Sequence, residues 1–241
     1  AGIAAEGNPF ARVLPVRITF DYREIPLHAP SEELSRRNAK AAIDIVNYFK
    51  ATGVRVVNMS WGGSYKDIES SLEKKGVGAG PEERAALAKK YFEIEKVGLE
   101  TAMKSAPEIL FIAAAGNSNN DNAFEQFVPS GLNLPNMLTV GAVDKSGKPT
   151  GFTTFGKNVQ VYSNGFEVES YVPGGKRFKY SGTSMAAPNA ANLAGKLFAL
   201  KPSLTVAEAI ELIKKGSDPM EGRSELLVTN PKKTIGLLSK N

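Results

Sequence analysis

The sequence predicts an α/β fold with a mainly parallel sheet, and three observations favour it. Apolar, β-branched runs alternate along the chain with amphipathic stretches at helical spacing, which is the pattern of successive strand–helix units. Residues 109–115 are almost purely apolar, as expected of a central parallel strand that is covered on both faces. The sequence contains no internal repeat, low-complexity tract or linker, so one domain over residues 1–241 is the simplest organisation.

The composition excludes several classes of site before any motif is considered. The 241 residues include 30 Lys and Arg, 25 Asp and Glu, one His and no Cys, for a formal net charge of +5. Without thiols, the sequence excludes a disulfide scaffold, a zinc site of the Cys/His type and a thiol nucleophile. The cations are interleaved with acidic residues, so we predict no nucleic-acid partner. The longest apolar run is far shorter than the roughly 20 residues that cross a bilayer, so we predict no membrane partner.

The first part of the chain is expected to form a strand, a helix and a second strand. Residues 13–20 (VLPVRITF) and 54–60 (VRVVNMS) are the β-branched runs that predict the strands. Residues 31–52 predict a helix, because Ser31 suits a helix start and Gly53 follows where a C-cap glycine is expected. The apolar stripe of this helix consists of Leu34, Ala41, Ala42, Ile45, Val46 and Phe49.

Further elements continue the predicted sheet and its helices. After a polar, Gly-containing stretch, residues 82–105 have a long helical pattern that stops before Pro107. Strands follow at residues 109–115 and 138–143.

Beyond Asp144 the sequence predicts shorter elements. Residues 151–156 and 159–162 are expected to be short strands, and residues 166–180 a hairpin that turns at a Pro-Gly-Gly sequence.

Two helices are expected to close the chain. Residues 184–200 are rich in Ala and Leu, and residues 205–214 begin with a capping box in which Thr205 and Glu208 are three residues apart.

The first candidate catalytic residue is Ser184, in the segment SGTSMAAP at residues 181–188. Turn residues lead there directly into an Ala-rich helix. The unpaired N–H groups of a helix start stabilise developing negative charge, so this is a suitable place for a nucleophile. A plain N-cap role for Thr183 or Ser184 is the alternative, and for an arbitrary Gly-Thr-Ser entry it is the commoner one.

The second candidate is Asn117, which follows the most apolar predicted strand. Ligands bind at the carboxyl ends of such strands, and an amide there can donate to an oxyanion. Taken alone, an Asn at this point is more often a turn residue.

Together these segments resemble those of the subtilisin-like serine proteases, the subtilases of the peptidase S8 family. GTSMAAP at residues 182–188 resembles the serine motif, and AAGN at residues 114–117 resembles the oxyanion-asparagine motif, in the family's order. VNMSWGG at residues 57–63 resembles the strand and loop beside the specificity pocket, and GFTTFG at residues 151–156 resembles the family's Ser-Ser-Phe-Gly loop. The resemblance covers nearly the whole chain and implies a three-layer α/β/α fold and serine endopeptidase activity on peptides or proteins.

The resemblance also implies a role for each candidate residue. The Ser184 hydroxyl would attack the scissile carbonyl, and the Asn117 amide with the Ser184 backbone N–H would hold the oxyanion. Residues on two sides would wall the pocket and pair with substrate as an added strand: Ser60, Trp61, Gly62, Ala115 and Gly116. As a pocket wall, Trp61 would favour apolar or aromatic substrate side chains; its alternative role is that of a core aromatic.

The sequence departs from the family at its start. Residues 1–5 (AGIAA) resemble the tail of the family's histidine motif, so the catalytic His and Asp would precede residue 1. His28 lies in a Pro-containing segment without that motif, and we do not expect it to be the base. The fold would then lack its N-terminal part, and we expect the chain alone to be inactive. Its exposed apolar gap would be covered by the missing segment or by self-association. The alternative function is a pseudoprotease used for binding or scaffolding.

Other features are weaker. Residues 65–81 are longer than the family usually has at this point, which predicts a surface insertion, and GVGAG within them is a poor phosphate loop because no strand precedes it. The family often binds calcium, but the oxygen-rich residues 117–122 hold a single Asp, so we name no metal ligand. The family implies a secreted or periplasmic location.

Overall fold

The computed structural model describes residues 1–18, 28–121 and 126–238. The helices in these ranges are α1 (Gly2–Ala5), α2 (Glu32–Ala51), α3 (Tyr65–Lys74), α4 (Pro81–Lys104), α5 (Thr183–Leu200), α6 (Val206–Gly216) and α7 (Pro231–Leu238). The strands are β1 (Val56–Met59), β2 (Leu110–Ala114), β3 (Met137–Val143), β4 (Val159–Asn164), β5 (Val168–Tyr171), β6 (Arg177–Tyr180), β7 (Asp218–Met220) and β8 (Arg223–Val228).

The main sheet has six strands in the order β1-β2-β3-β4-β8-β7. All its pairs are parallel except β7 with β8, while β5 and β6 form a separate antiparallel hairpin. Every residue of β2 and β3 is buried, as expected of central strands with both faces covered. The sheet therefore confirms the predicted α/β class.

Helices cover both faces of this sheet. On one face, Leu193 of α5 and Ile213 of α6 are buried with Leu138 of β3. On the other face, Phe49 of α2 and Met103 of α4 are buried with Phe111 of β2. The predicted three-layer α/β/α arrangement is confirmed, and α5 lies on the sheet with its first residues at the carboxyl ends of the strands.

Several element predictions are confirmed together with their local causes. The helix predicted at residues 31–52 is α2, and the Ser31 hydroxyl accepts a hydrogen bond from the Leu34 N–H at 3.2 Å. The capping box of α6 is present, because the Glu208 N–H donates to the Thr205 hydroxyl at 3.2 Å and the Glu208 carboxylate accepts from the Thr205 N–H at 2.7 Å. The hairpin turns where the Pro-Gly-Gly sequence predicts it, between β5 and β6.

Two predicted strands are wrong. Residues 13–18 form no strand, and residues 19–20 of the same prediction lie outside the described residues. No described strand pairs with this segment, so its backbone groups lack the ladder that a strand requires, and Val13 and Ile18 remain exposed. Residues 151–156 form a turn with one isolated bridge, from Phe155 to Asp121.

The C-terminal part contains elements that the sequence analysis missed. The chain continues after α6 into β7, β8 and α7, so the expectation that two helices close it is wrong. Pro219 lies in β7, whose position at the edge of the sheet tolerates the missing N–H. α7 begins after Asn230, whose side-chain oxygen accepts from the Lys233 N–H at 3.0 Å.

Residues 65–81, predicted to be a surface insertion, contain α3 and the loop that leads to α4. Leu72 of α3 is buried against Ala88 and Tyr91 of α4, in a small cluster separate from the two faces of the sheet. That these residues are an insertion stays a prediction.

α1 is held against the serine-bearing helix by one side chain. The Asn192 amide of α5 donates to the carbonyl oxygens of Ala4 at 3.1 Å and Glu6 at 2.7 Å. These bonds satisfy carbonyl groups that the end of a short helix leaves unpaired. Among the described helices, none combines the length and apolar character that crossing a membrane requires.

Candidate active site

Ser184 lies at the start of α5, where two glycines allow a close approach of the chain. Gly182 caps the helix with a φ of +153°, a conformation that favours glycine, and its N–H donates to the Gly165 carbonyl at 2.8 Å. A Cβ at Gly165 would come within 2.7 Å of the Gly182 carbonyl oxygen. This packing presents the half-buried Ser184 at the carboxyl ends of the sheet strands.

The first turn of α5 leaves one backbone donor free. The Thr183 N–H donates to Asn117 at 2.8 Å, and the N–H groups of Met185 and Ala186 donate to the Gly182 carbonyl at 3.0 and 3.3 Å. Within the described part of the chain, the Ser184 N–H has no acceptor. It is therefore available to an anion beside the Ser184 hydroxyl.

Asn117 places a second free donor at the same helix start. Its Oδ1 accepts both the N–H of Thr183 at 2.8 Å and the hydroxyl of Thr183 at 3.0 Å. Because these bonds occupy the oxygen end of the amide, the Nδ2 end is the one left for an external acceptor. No described residue accepts from it, and the Asn117 side chain is exposed.

Two buried threonines support the segment that carries Asn117. The Thr183 hydroxyl accepts from the Gly116 N–H at 3.2 Å, and the Thr154 N–H donates to the Gly116 carbonyl at 3.0 Å. The Thr154 hydroxyl accepts from the Ser118 N–H at 3.2 Å. Both threonines are fully buried, so residues 116–118 are fixed on both sides of Asn117.

Ser60, at the end of β1, and Ser184 are joined by two hydrogen bonds. The Ser60 hydroxyl donates to the Ser184 carbonyl at 2.9 Å, and the Ser184 hydroxyl donates to the Ser60 carbonyl at 3.4 Å. The structure thus brings the predicted nucleophile directly against the predicted pocket wall. The proton of Ser184 is directed to a carbonyl oxygen rather than to a base.

The two walls of the predicted pocket, residues 115–116 and residues 61–62, differ in how many backbone hydrogen-bonding groups remain free for a substrate. Ala115 is buried, and both backbone groups of Gly116 are bonded within the protein, as described above. Trp61 is 39% exposed, and the described residues contain no partner for the backbone groups of Gly62. Pairing with an extended peptide is therefore open to Gly62 and not to Gly116.

Phe127 is a pocket neighbour that the sequence analysis missed. Its ring lies over Gly62 so closely that a Cβ there would overlap it, and that Cβ would also come within 2.8 Å of the Val128 carbonyl oxygen. Gly63 and Val128 exchange two backbone hydrogen bonds of 3.0 Å, which hold this segment against the wall. No motif predicts this contact, because Phe127 precedes an irregular loop.

The described residues provide neither a base for Ser184 nor a group of metal ligands. His28 is exposed, and no hydrogen bond connects it to Ser184 within those ranges. They contain no cluster of three or more His, Cys, Asp or Glu side chains that could hold a metal ion. Asp121 is the single carboxylate that the described ranges contain in the oxygen-rich stretch, and one carboxylate does not fit a calcium site.

Electrostatics at this site depend on uncharged donors. Among the described residues, the groups whose pKa values are shifted lie elsewhere. Burial raises the pKa of Tyr162, and hydrogen bonds from Asn230 and Lys233 lower the pKa of Asp218. At the site itself, the helix start and the Asn117 amide supply partial positive charge in fixed positions. This arrangement can bind a negatively charged oxygen next to the Ser184 hydroxyl.

Comparison with known proteins adds independent information. The model of the Subtilase family matches residues 3–232. The cell wall-associated protease of Bacillus subtilis is 34% identical over 115 residues, 48% of this chain and 12% of that protein. A subtilisin-like serine protease of Penicillium rubens is 30% identical over 151 residues, 63% of this chain and 30% of that protein. The matched parts thus span less than a third of these relatives.

Solved structures share the fold. The prenylagaramide maturation protease PagA aligns with a TM-score of 0.59 at 22% identity, over 86% of this chain and 67% of that one. A cold adapted subtilisin-like serine proteinase aligns with a TM-score of 0.57 at 23% identity, over 80% of this chain and 59% of that one.

Proposed function

We propose that this chain, which belongs to the subtilase family, carries the nucleophile and the oxyanion hole of a serine endopeptidase. The observation that carries the proposal is the bond from the Thr183 N–H to Asn117 Oδ1 at 2.8 Å. It leaves the Nδ2 end of the Asn117 amide as an unused donor, and the Ser184 N–H at the same helix start is a second donor without an acceptor among the described residues. An oxyanion hole requires such fixed donors.

The chemistry assigned to Ser184 is acyl transfer. Its oxygen attacks the scissile carbonyl carbon while its proton passes to a base, and the carbonyl oxygen becomes an anion between the two donors. Collapse of this intermediate breaks the peptide C–N bond, the base returns the proton to the leaving amine, and an ester on Ser184 remains. Water then attacks the ester by the same route and releases the acid.

We assign the base and the carboxylate that orients it to residues outside this chain, so the chain alone is inactive in this proposal. The bond from the Ser184 hydroxyl to the Ser60 carbonyl supports this, since no described group takes the proton. The same observation supports the alternative, a pseudoprotease in which a subtilase fold binds or scaffolds other proteins.

The proposed substrates are peptides or proteins. Trp61 and the Phe127 ring give the pocket an apolar border, which favours apolar or aromatic side chains next to the cleaved bond. The open backbone of Gly62 supports pairing with an extended peptide.

The position of β1 at the end of the described sheet supports a further partner. Among the described strands, β1 pairs on one side only, with β2. Unpaired strand edges bind further strands. We propose that this edge is occupied by the segment that, in the family, comes before the position matching residue 1 of this chain. Self-association of the 241-residue chain is the alternative occupancy. Analytical ultracentrifugation of the 241-residue chain tests self-association, and a urea titration tests its unfolding. A stable monomer that unfolds cooperatively contradicts self-association.

Location and calcium binding stay proposals. A secreted or periplasmic location agrees with the name of the cell wall-associated relative in Bacillus subtilis. Calcium binding is implied by the family alone, and we assign it no step. A melting temperature that does not change with added calcium contradicts it.

The test of function treats two proteins with a fluorophosphonate probe and maps the adduct by mass spectrometry. The first is the 241-residue chain, and the second is extended through the upstream coding region. Labelling of Ser184 in the extended protein alone supports the proposal, and Ser184→Ala in that protein is the matched control. Absence of labelling in both folded proteins favours the pseudoprotease. Labelling of the short chain contradicts the assignment of the base to residues outside it.

A further inference from the structure

Asn58 stands out because its residue type is unfavourable for its position. Asn is depleted in strands, yet Asn58 lies in the middle of β1 between Val57 and Met59. Its side chain is exposed and donates from Nδ2 to the Ser60 hydroxyl at 3.0 Å. The Ser60 hydroxyl in turn donates to the Ser184 carbonyl at 2.9 Å. A chain of two hydrogen bonds therefore connects β1 to the nucleophile.

Pro188 explains why the Ser184 carbonyl is open to such a donor. In an α-helix, the carbonyl of each residue accepts from the N–H four positions later. The position four residues after Ser184 is Pro188, which lies inside α5 and has no N–H. The Ser60 hydroxyl supplies the hydrogen bond that the helix itself cannot make.

Asn58 determines the direction in which the Ser60 hydroxyl points. A serine hydroxyl has a single proton to donate and can accept at its lone pairs. With the Asn58 amide donating to the oxygen, the hydroxyl proton is left to the Ser184 carbonyl. If Asn58 presented its oxygen instead, two acceptors would compete for that proton.

We infer that Asn58 is a positioning residue for Ser184, which acts by orienting the Ser60 hydroxyl onto the carbonyl that Pro188 leaves without a helical donor. The bridge holds the backbone of the nucleophile at a fixed place relative to the pocket wall. The importance of this placement for catalysis rests on the proposed function, whereas the bridge itself is testable without activity.

The sequence offers a selective probe of this carbonyl. Ser184-Met185 is the only Ser-Met dipeptide in the chain. Labelling with carbonyl-¹³C serine and ¹⁵N methionine therefore gives a single cross peak between the Ser184 carbonyl carbon and the Met185 nitrogen. A carbonyl carbon moves downfield when its oxygen accepts a hydrogen bond, so this peak reports on the bridge in the 241-residue chain.

Asn58→Asp is the decisive variant, because a carboxylate reverses the donor and acceptor roles. At neutral pH the carboxylate accepts a charge-assisted hydrogen bond from the Ser60 hydroxyl. The Ser184 carbonyl then loses its donor, and its carbon resonance is expected to move upfield. Below the carboxyl pKa of about 4 the protonated group donates again, and the wild-type position should return. A purely structural role of Asn58 does not produce this pH-dependent return.

Two controls separate the bridge from other effects. Ser60→Ala should move the Ser184 carbon upfield at every pH, and adding Asn58→Asp to it should cause no further pH-dependent shift. Pro188→Ala supplies a backbone N–H to the Ser184 carbonyl, so Ser60→Ala in that background should have a much smaller effect.

Specific results overturn the inference. A Ser184 resonance that is unchanged in Ser60→Ala shows that the bridge is not formed. A resonance that moves in Ser60→Ala but stays at the wild-type position in Asn58→Asp shows that Asn58 does not orient the hydroxyl. If Asn58→Asp does not fold, Asn58→Leu removes the orienting donor without adding a competing acceptor, so the Ser184 carbonyl carbon is expected to move upfield by only part of the Ser60→Ala shift, and no movement contradicts the inference.

A second readout connects the bridge to reactivity. In the protein extended upstream, Ser60→Ala and Asn58→Asp should each slow fluorophosphonate labelling of Ser184 roughly two- to tenfold, the range of one lost hydrogen bond. If the extended protein is not labelled at all, the proposed function fails while the spectrum still decides the bridge.

Discussion

Asn117 Oδ1 accepts two hydrogen bonds from Thr183, one from its N–H at 2.8 Å and one from its hydroxyl at 3.0 Å. This contact occupies the oxygen end of the Asn117 amide and leaves the Nδ2 end as the free donor at the helix start. The orientation of the proposed oxyanion hole thus depends on a buried threonine that does not itself have to touch the substrate.

Asn117→Asp tests the donor without removing the acceptor. The carboxylate can still accept from Thr183, so we expect a nearly unchanged melting temperature. It has no N–H to donate, so kcat of the extended protein should fall by at least about 10²–10³. This size is the one known for the corresponding asparagine of subtilisin itself. A kcat within threefold of wild type, measured on a peptide substrate, contradicts the assignment. Asn117→Leu, which loses both functions, should also lower the melting temperature.

Thr183→Val tests the support of Asn117. Valine has nearly the same shape, but it lacks the hydroxyl that donates to Asn117 and accepts from the Gly116 N–H at 3.2 Å. We expect the free energy of unfolding to fall by about 1–3 kcal/mol in urea titrations, the cost of a buried polar group left unpaired. Thr183→Ser keeps the hydroxyl and loses one methyl group, so it should cost only about 1 kcal/mol. An equal or larger loss for serine would mean that packing, not hydrogen bonding, explains Thr183.

The buried hydroxyl of Tyr162 should make the protein less stable at high pH. Burial raises its pKa in the folded protein above the usual value, so the folded state retains the proton longer than the unfolded state does. Its contribution is therefore complete below about pH 10 and declines as the pH rises further. Tyr162→Phe removes this titration. Between pH 9 and 12, about the range in which tyrosine titrates, the unfolding free energy of the wild type should therefore fall more than that of the variant. A difference that stays constant over that range contradicts the prediction.

Gly141→Ala tests the packing of two central strands. Gly141 of β3 pairs in register with Tyr162 of β4, and a Cβ at Gly141 would overlap the Tyr162 ring. Because the ring is buried among packed side chains, we expect a loss of about 1–3 kcal/mol in unfolding free energy. Gly151→Ala is the matched control, because nothing lies within 4 Å of its added Cβ. Its unfolding free energy should stay within about 0.5 kcal/mol of wild type. Equal effects of the two substitutions would contradict the packing argument.

Local patterns were sufficient to predict much of the fold. The apolar run around Leu110–Ala114 predicts a central strand, and the spacing of Thr205 and Glu208 predicts the start of α6. The interactions that cause these elements lie within a few residues of each other, so a single sequence contains the information. Asn230 is a similar local signal for the start of α7, because its side chain caps that helix.

What the sequence could not predict depends on contacts between distant segments. Ser184 and Asn117 were found from motifs, but the Thr183–Asn117 bond joins residues 66 positions apart, and the bridge from Ser60 to Ser184 spans 124. The error at residues 13–18 has the same origin, because a strand requires a neighbouring strand as well as a suitable sequence.

A crystal structure of the extended protein after reaction with a fluorophosphonate tests the proposed roles of Ser184 and Asn117. We expect phosphorus bonded to the Ser184 oxygen, with one phosphonyl oxygen within hydrogen-bonding distance, about 2.7–3.1 Å, of both Asn117 Nδ2 and the Ser184 backbone nitrogen. An adduct on another residue, or a phosphonyl oxygen that contacts neither donor, would contradict it.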